Sequence, residues 1–177
     1  MNFDYKNFEF ELKEKTKIAF NACVEKIEIK DIAGFALYSD ESAMTISASC
    51  NTYENLNRLQ NKYPGSDIYF KWTPGEWKYE LVREIEFEDL CTLLREAHFN
   101  ETTGIFSIHR NRINSTAVKV LEELRAEGLF KDMNDGFVLM FGVSDFSDHK
   151  LEIGFVKRLN SEVLANEFEQ WIETQEE

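Results

Sequence analysis

The chain has 177 residues, 43% apolar and 30% charged, with 15 Phe, 6 Tyr and 3 Trp: one domain's length, and too much buriable surface for a disordered chain. Its 33 acidic against 20 basic residues give a net charge of −13, the wrong sign for displacing counterions from a phosphate backbone, so neither nucleic acid nor anionic membrane is expected as a direct partner. No run approaches the ~18 apolar residues of a membrane span, and the N-terminus lacks a basic segment followed by an apolar one, so a cytoplasmic location is expected.

From Asp4 to about Ile27 there is no Gly or Pro, and Phe8, Leu12, Thr16, Ala19 and Cys23 recur at steps of three and four, which predicts an amphipathic helix. Ile32–Ser39 is short and apolar, Asp40-Glu41-Ser42 is turn-like, and Met44, Ile46, Ala48 and Cys50 alternate with Thr45, Ser47 and Ser49. The pattern predicts a hairpin with one buried face. Asn51 or Thr52 can cap a helix that must stop near Tyr63, before Pro64-Gly65. Ile68, Phe70 and Trp72 alternate with Tyr69 and Lys71 as a third strand would.

Phe87, Leu90, Cys91, Leu94 and Ala97 keep the helical period between Glu86 and His98. A further helix is expected over Ser115–Glu127, ending at Gly128, a residue suited to the left-handed conformation past a helix. Phe137–Val143 is continuously apolar and reads as a central strand covered on both faces. The last helix runs from an Asn160 or Ser161 cap to about Thr174, with Leu164, Phe168, Trp171 and Ile172 facing inward. The expected fold class is α+β: a single domain over 1–177, with a mainly antiparallel sheet of about four or five strands and helices packed on it.

The most distinctive string is Trp72-Thr-Pro-Gly-Glu-Trp-Lys-Tyr-Glu80. Local physics accounts for most of it as a strand-to-helix corner. Thr73 would be the N-cap, Pro74 the first helical residue and Glu76 the third, completing a capping box, with Trp72 and Trp77 spaced as a hydrophobic staple. Lys71, Tyr79 and Glu80 are not required by that corner and are the candidate binding residues there.

The string Tyr69–Glu80, the strand end Leu37-Tyr-Ser-Asp40 and the strand Leu139-Met-Phe-Gly-Val-Ser-Asp145 together resemble an uncharacterised bacterial family of similar length, over nearly the whole chain. Some of its members recur beside secreted polymorphic toxins, which implies an immunity role. The family usually has an arginine where Lys71 stands. Lysine keeps the charge but not the bidentate fork, which argues against a planar carboxylate or phosphate partner at that point. The resemblance brings no catalytic residues.

His98, His109 and His149 stand in no metal-binding frame, and Cys23, Cys50 and Cys91 are odd in number and widely spaced. Neither a metal site nor a disulfide framework is indicated, no cofactor is expected, and the thiols should be reduced and buried. His98 reads as a hydrogen-bonded histidine at the edge of an apolar helix face. His109-Arg110-Asn-Arg112 is a basic cluster that reads as solvated and paired to acidic neighbours. Asp145 and Asp148 follow the late strand; they could hold a cation or act as acid and base, but they also suit helix caps. Phosphate-loop, dinucleotide and serine-hydrolase signatures are absent.

Acid concentrates in two stretches. Ser161–Glu177 holds six glutamates and no Lys or Arg, and Glu76–Glu101 holds eight acidic residues against Lys78, Arg83 and Arg95. Such runs usually keep a helix face soluble, and they also steer cationic partners. The expected function is therefore a non-catalytic binding protein that occludes a cationic toxin domain, with Lys71, Tyr79, Glu80, Asp145, Glu162 and Glu169 as candidate contact residues. The alternatives are an enzyme with a site built from Lys71, Tyr79, Glu80, His109, Arg110 and Asp145, or a regulatory adaptor.

Overall fold

A computed structural model describes residues 3–100, 103–144 and 148–174. Its order is α1 (Tyr5–Val24), β1 (Ile32–Ser39), β2 (Ser47–Thr52), α2 (Tyr53–Lys62), α3 (Asp67–Trp72), α4 (Glu84–Asn100), α5 (Thr103–Ala126), β3 (Val138–Val143), α6 (His149–Leu159) and α7 (Glu162–Glu173). The fold is α+β. Among the described residues the sheet has three strands rather than four or five, in the order β2-β1-β3, antiparallel between β1 and β2 but parallel between β1 and β3.

Side-chain alternation along the strands divides the core into two layers. Phe35 and Leu37 of β1, Ala48 and Cys50 of β2, and Leu139 and Phe141 of β3 join Phe8, Leu12, Phe20, Phe87, Leu90, Leu94, Val118 and Leu121 from α1, α4 and α5. Ala36, Val138 and Met140 face the other way, onto Trp72, Trp77, Val156, Leu164, Phe168 and Ile172. Gly34 makes that second layer tight: a β-carbon there would lie 2.9 Å from Cη2 of Trp77. Helix α6 lies along β3 and sends Phe155 and Leu159 into the first layer and Val156 into the second.

Helix ends follow their sequence signals. Asp4 accepts from the N–H groups of Lys6 and Asn7, Thr52 from Asn55 and Ser161 from Leu164. Asp148 accepts from Leu151 at 3.0 Å and so caps α6, a helix whose extent the sequence pattern did not reveal. Gly128 has φ +85° where α5 ends, and the Leu129 N–H returns to the Leu124 carbonyl. In the loop between β1 and β2, the Asp40 carboxylate accepts from the N–H groups of Ser42 and Met44 and from the Thr45 hydroxyl, giving the end of the family-like strand a structural job.

Four expectations are corrected. The segment 68–72 is a helix, because its alternation is only five residues long and equally supplies an i, i+4 pair, Ile68 and Trp72, which both pack into the second layer. Thr73 is not the cap of a long helix: Pro74–Glu76 form a single 3-10 turn and the Thr73 side chain makes no cap bond, so residues 72–77 join helix to loop. Trp72 and Trp77 are nonetheless both buried, each 2% exposed. β3 lies at one edge and β1 is central, because continuous apolarity reports cover on both faces, which α6 and the two layers provide, and not rank within the sheet. Finally, the face of β2 expected in solvent is buried at Ser47, Ser49 and Asn51. Asn51 shows how: its Oδ1 accepts from the Thr52 N–H and the Asn55 amide.

Both lateral edges of the sheet are occupied. Along β2, the main chain of Tyr79 exchanges two hydrogen bonds with Cys50 (2.8 and 3.0 Å), and the Val82 N–H donates to the Ala48 carbonyl. Along β3, the Asn160 carboxamide accepts from the Leu139 N–H at 3.0 Å and donates to the Leu139 carbonyl at 2.7 Å, as a neighbouring strand would.

Candidate functional site

The carboxyl ends of the parallel pair β1 and β3 open into a crevice of about 370 Å³. Crevices at this position are the recurrent ligand sites of sheets with parallel strands. Tyr38 and Gly142 form its floor. The turn residues Thr73 and Pro74 form one wall, the first turn of α6 (His149 and Glu152) another, and Tyr69, Trp72 and Trp171 supply aromatic surface. Gly142 is required by the close approach, since a β-carbon there would lie 3.0 Å from Cγ of Pro74 and 3.3 Å from Cδ2 of Tyr38. All three strings that carry the family resemblance meet here, through Tyr38, through Tyr69, Trp72, Thr73 and Pro74, and through Gly142, Val143 and Ser144.

The crevice shifts the protonation of its acids. Burial pushes the Glu152 carboxyl up to about 7, against the opposing pull of the His149 charge one turn away. Burial, then the nearby Glu76 carboxylate, raises the Tyr69 phenol. Glu152, Tyr38 and Trp171 were not singled out from the sequence. Their signal was indirect: two of the three family-like strings end at strand termini that pair in parallel register, Tyr38 opposite Gly142.

The residues singled out from the sequence are dispersed. Lys71 pairs with Glu167 at 2.6 Å, and the same Glu167 oxygen accepts from the Trp72 indole N–H at 2.9 Å, which binds α3 to α7. Tyr79 serves the β2 edge with its main chain, and Lys78 lies 5.5 Å above its ring. Glu80 is exposed beside a small hollow that reaches Cys23 and Lys26. Glu162 is exposed in the first turn of α7, whereas Glu169 pairs with Lys157 at 2.8 Å. The basic cluster read as solvated is corrected at His109, which is buried on α5 with its Nδ1 2.7 Å from the Tyr5 hydroxyl; Arg112 stacks 3.6 Å over the Tyr5 ring, and Arg110 faces Phe106. Asp145 lies outside the described residues. Lys71, Glu80 and His109 therefore stand in three separate environments.

Cys23, Cys50 and Cys91 are free thiols. Contact with Cys23 and burial push the Cys50 thiol up, and Cys91 is clasped by the main chain of Ile46, accepting from its N–H and donating to its carbonyl at 3.3 Å. Among the described residues no group of three His, Cys, Asp or Glu gathers as a metal site. No described helix is long and apolar enough to cross a membrane.

A second surface stands on the other side of the sheet. Helix α4 buries Phe87, Leu90 and Leu94 and turns outward Ile85, 75% exposed, and Leu93, with Leu81 exposed just before it. Glu84, Glu88, Asp89 and Glu96 surround them, all exposed. Among the described residues, Glu88 pairs with Arg95 at 3.9 Å.

No curated protein and no solved structure matches the chain. A family model described as a domain of unknown function, DUF4303, matches residues 12–161, which run from within α1 to the cap of α7 and include the α4 face and all of the crevice lining except Trp171 and Ile172; the chain belongs to that family.

Proposed function

We propose that this protein is a non-catalytic binding protein that occludes a cationic protein partner, a toxin domain in the immunity role implied by the sequence resemblance. The observation that carries the reading is the outer face of α4, where Leu81, Ile85 and Leu93 are exposed among Glu84, Glu88, Asp89 and Glu96. Large apolar side chains held in water on a rigid helix are anchors for an interface, and a charged rim around them sets partner choice and encounter rate. The acids of α7 support this role less well, because Glu167 and Glu169 are engaged by Lys71 and Lys157 within the fold.

The test is surface-binding kinetics against the purified product of the gene adjacent to this one, across a salt series. The association rate is expected to fall as salt rises, since screening contracts the field to about 8 Å at physiological ionic strength, while dissociation changes little. Reversing Glu84, Glu88 and Asp89 to lysine should slow association at low salt, and Ile85→Ala should speed dissociation. The corresponding reversal of Glu162 and Glu173 should do less. A salt-independent association rate that neither reversal alters would overturn the electrostatic reading, and absence of binding would overturn the proposal.

A further inference from the structure

We propose that the crevice at the carboxyl ends of β1 and β3 is a receptor for an organic cation, an alkylammonium group on an aliphatic stem. Three observations carry it. The walls are aromatic on several sides, from Tyr38, Tyr69 and Trp171, with the Tyr69 and Trp171 rings edge-on at 6.4 Å between centroids, while Trp72, buried with Lys71 5.5 Å over its ring, backs them. Ring faces attract cations within about 6 Å, most strongly where water is excluded. Among the described lining residues one carboxylate, that of half-buried Glu152, stands in the wall; His149 one turn away acts on it, and no described lysine or arginine pairs with it. The space, about 370 Å³, holds a group of this size.

The chemistry selects a cation over an anion or a neutral ligand. An anion would meet Glu152 and the negative ring faces together. A neutral aliphatic group would leave the half-buried carboxylate uncompensated by a ligand, and desolvation already drives it to hold a proton to about pH 7. A desolvated cation relieves both. The pocket lies on the side of the sheet opposite α4, so this inference stands independently of the partner face proposed above.

Tryptophan fluorescence provides the readout, since Trp72 and Trp171 line the crevice. The full chain is titrated with n-butyltrimethylammonium, with the neutral isostere 3,3-dimethylbutan-1-ol, and with the N-acetyl methylamide of lysine, each repeated by calorimetry. Saturable binding of the ammonium at least tenfold tighter than the isostere is expected. Glu152→Gln, which keeps shape and removes charge, should weaken it tenfold or more, and Tyr69→Ala should weaken it with Glu152 intact; a thermal melt confirms that each variant is folded. Tighter binding of the lysine derivative than of the free ammonium assigns the site to a side chain of a protein, and the reverse assigns it to a small amine. Saturation by neither cation, equal binding of the isostere, or unchanged binding in folded Glu152→Gln overturns the proposal.

Discussion

Thr73 and Thr52 occupy similar sequence contexts, each beside a helical start, yet only Thr52 works as a cap: its hydroxyl accepts from the Asn55 N–H at 3.2 Å. Thr52→Ala is therefore expected to cost about 1 kcal/mol, and Thr73→Ala roughly 0.5 kcal/mol or less, in paired denaturant melts; an equal loss at both sites would contradict the difference between them. A capping box can be read in sequence wherever its spacing occurs. Whether a helix follows depends on tertiary packing, here the demand that Trp77 fold back over Gly34. Glu152 illustrates a different limit, since its environment joins its own helix to Tyr38 of β1, Tyr69–Pro74 and Trp171, which sequence does not place beside it. Its pKa rises on folding from 4.5 to about 7, so between those values the folded state holds a proton that the unfolded state releases. Stability from this group falls as pH rises through that window. The melting temperature of Glu152→Gln should accordingly match the wild type near pH 4 and exceed it at pH 8; a difference independent of pH would refute the assignment.

Among the elements, α1, α4 and α7 were legible because their apolar period persists over several turns, whereas of α5, which begins at Thr103, only the half from Ser115 was read. The stripe Phe8, Leu12, Thr16, Ala19 and Cys23 is buried throughout, and so are Leu164, Phe168 and Ile172 of α7. The short elements were not, because five alternating residues serve a strand or a turn and a half of helix equally, as α3 shows. Burial of small polar residues was the other blind spot. Ser47, Ser49 and Asn51 look like a solvent face by residue type, and cover supplied by remote segments reverses that reading. This alters what substitution should do: Ser49→Asp places an uncompensated carboxylate in the second layer as surely as Leu139→Asp does in the first. Both variants should lose soluble expression, whereas Glu162→Gln, on the exposed turn of α7, should express normally. Soluble, cooperatively folding Ser49→Asp would sink the two-sided burial of β2.

At the scale of the whole molecule, the candidate site was legible in pieces but not as a place. The strings ending at Tyr38, beginning at Tyr69 and running through Gly142 were each visible, and only parallel pairing of β1 with β3 makes them neighbours. Sequence spacing carries no trace of that pairing, because a long crossover separates the two strands. The occupied edges of the sheet yield one more expectation. Asn160→Ala leaves the amide and carbonyl of Leu139 without their partner, which should cost about 1–3 kcal/mol and expose ladder groups on β3. Light scattering on warming should then rise before the wild type's does; identical scattering would mean that α6 alone guards the edge. Under the proposed occluding role the protein must accumulate to the concentration of what it occludes, where any unpaired strand would template fibres or capture passing extended peptides. Closing one side with the main chain of Tyr79–Val82 and the other with a single carboxamide leaves this molecule fit for crowding, and confines recognition to its helices and its crevice.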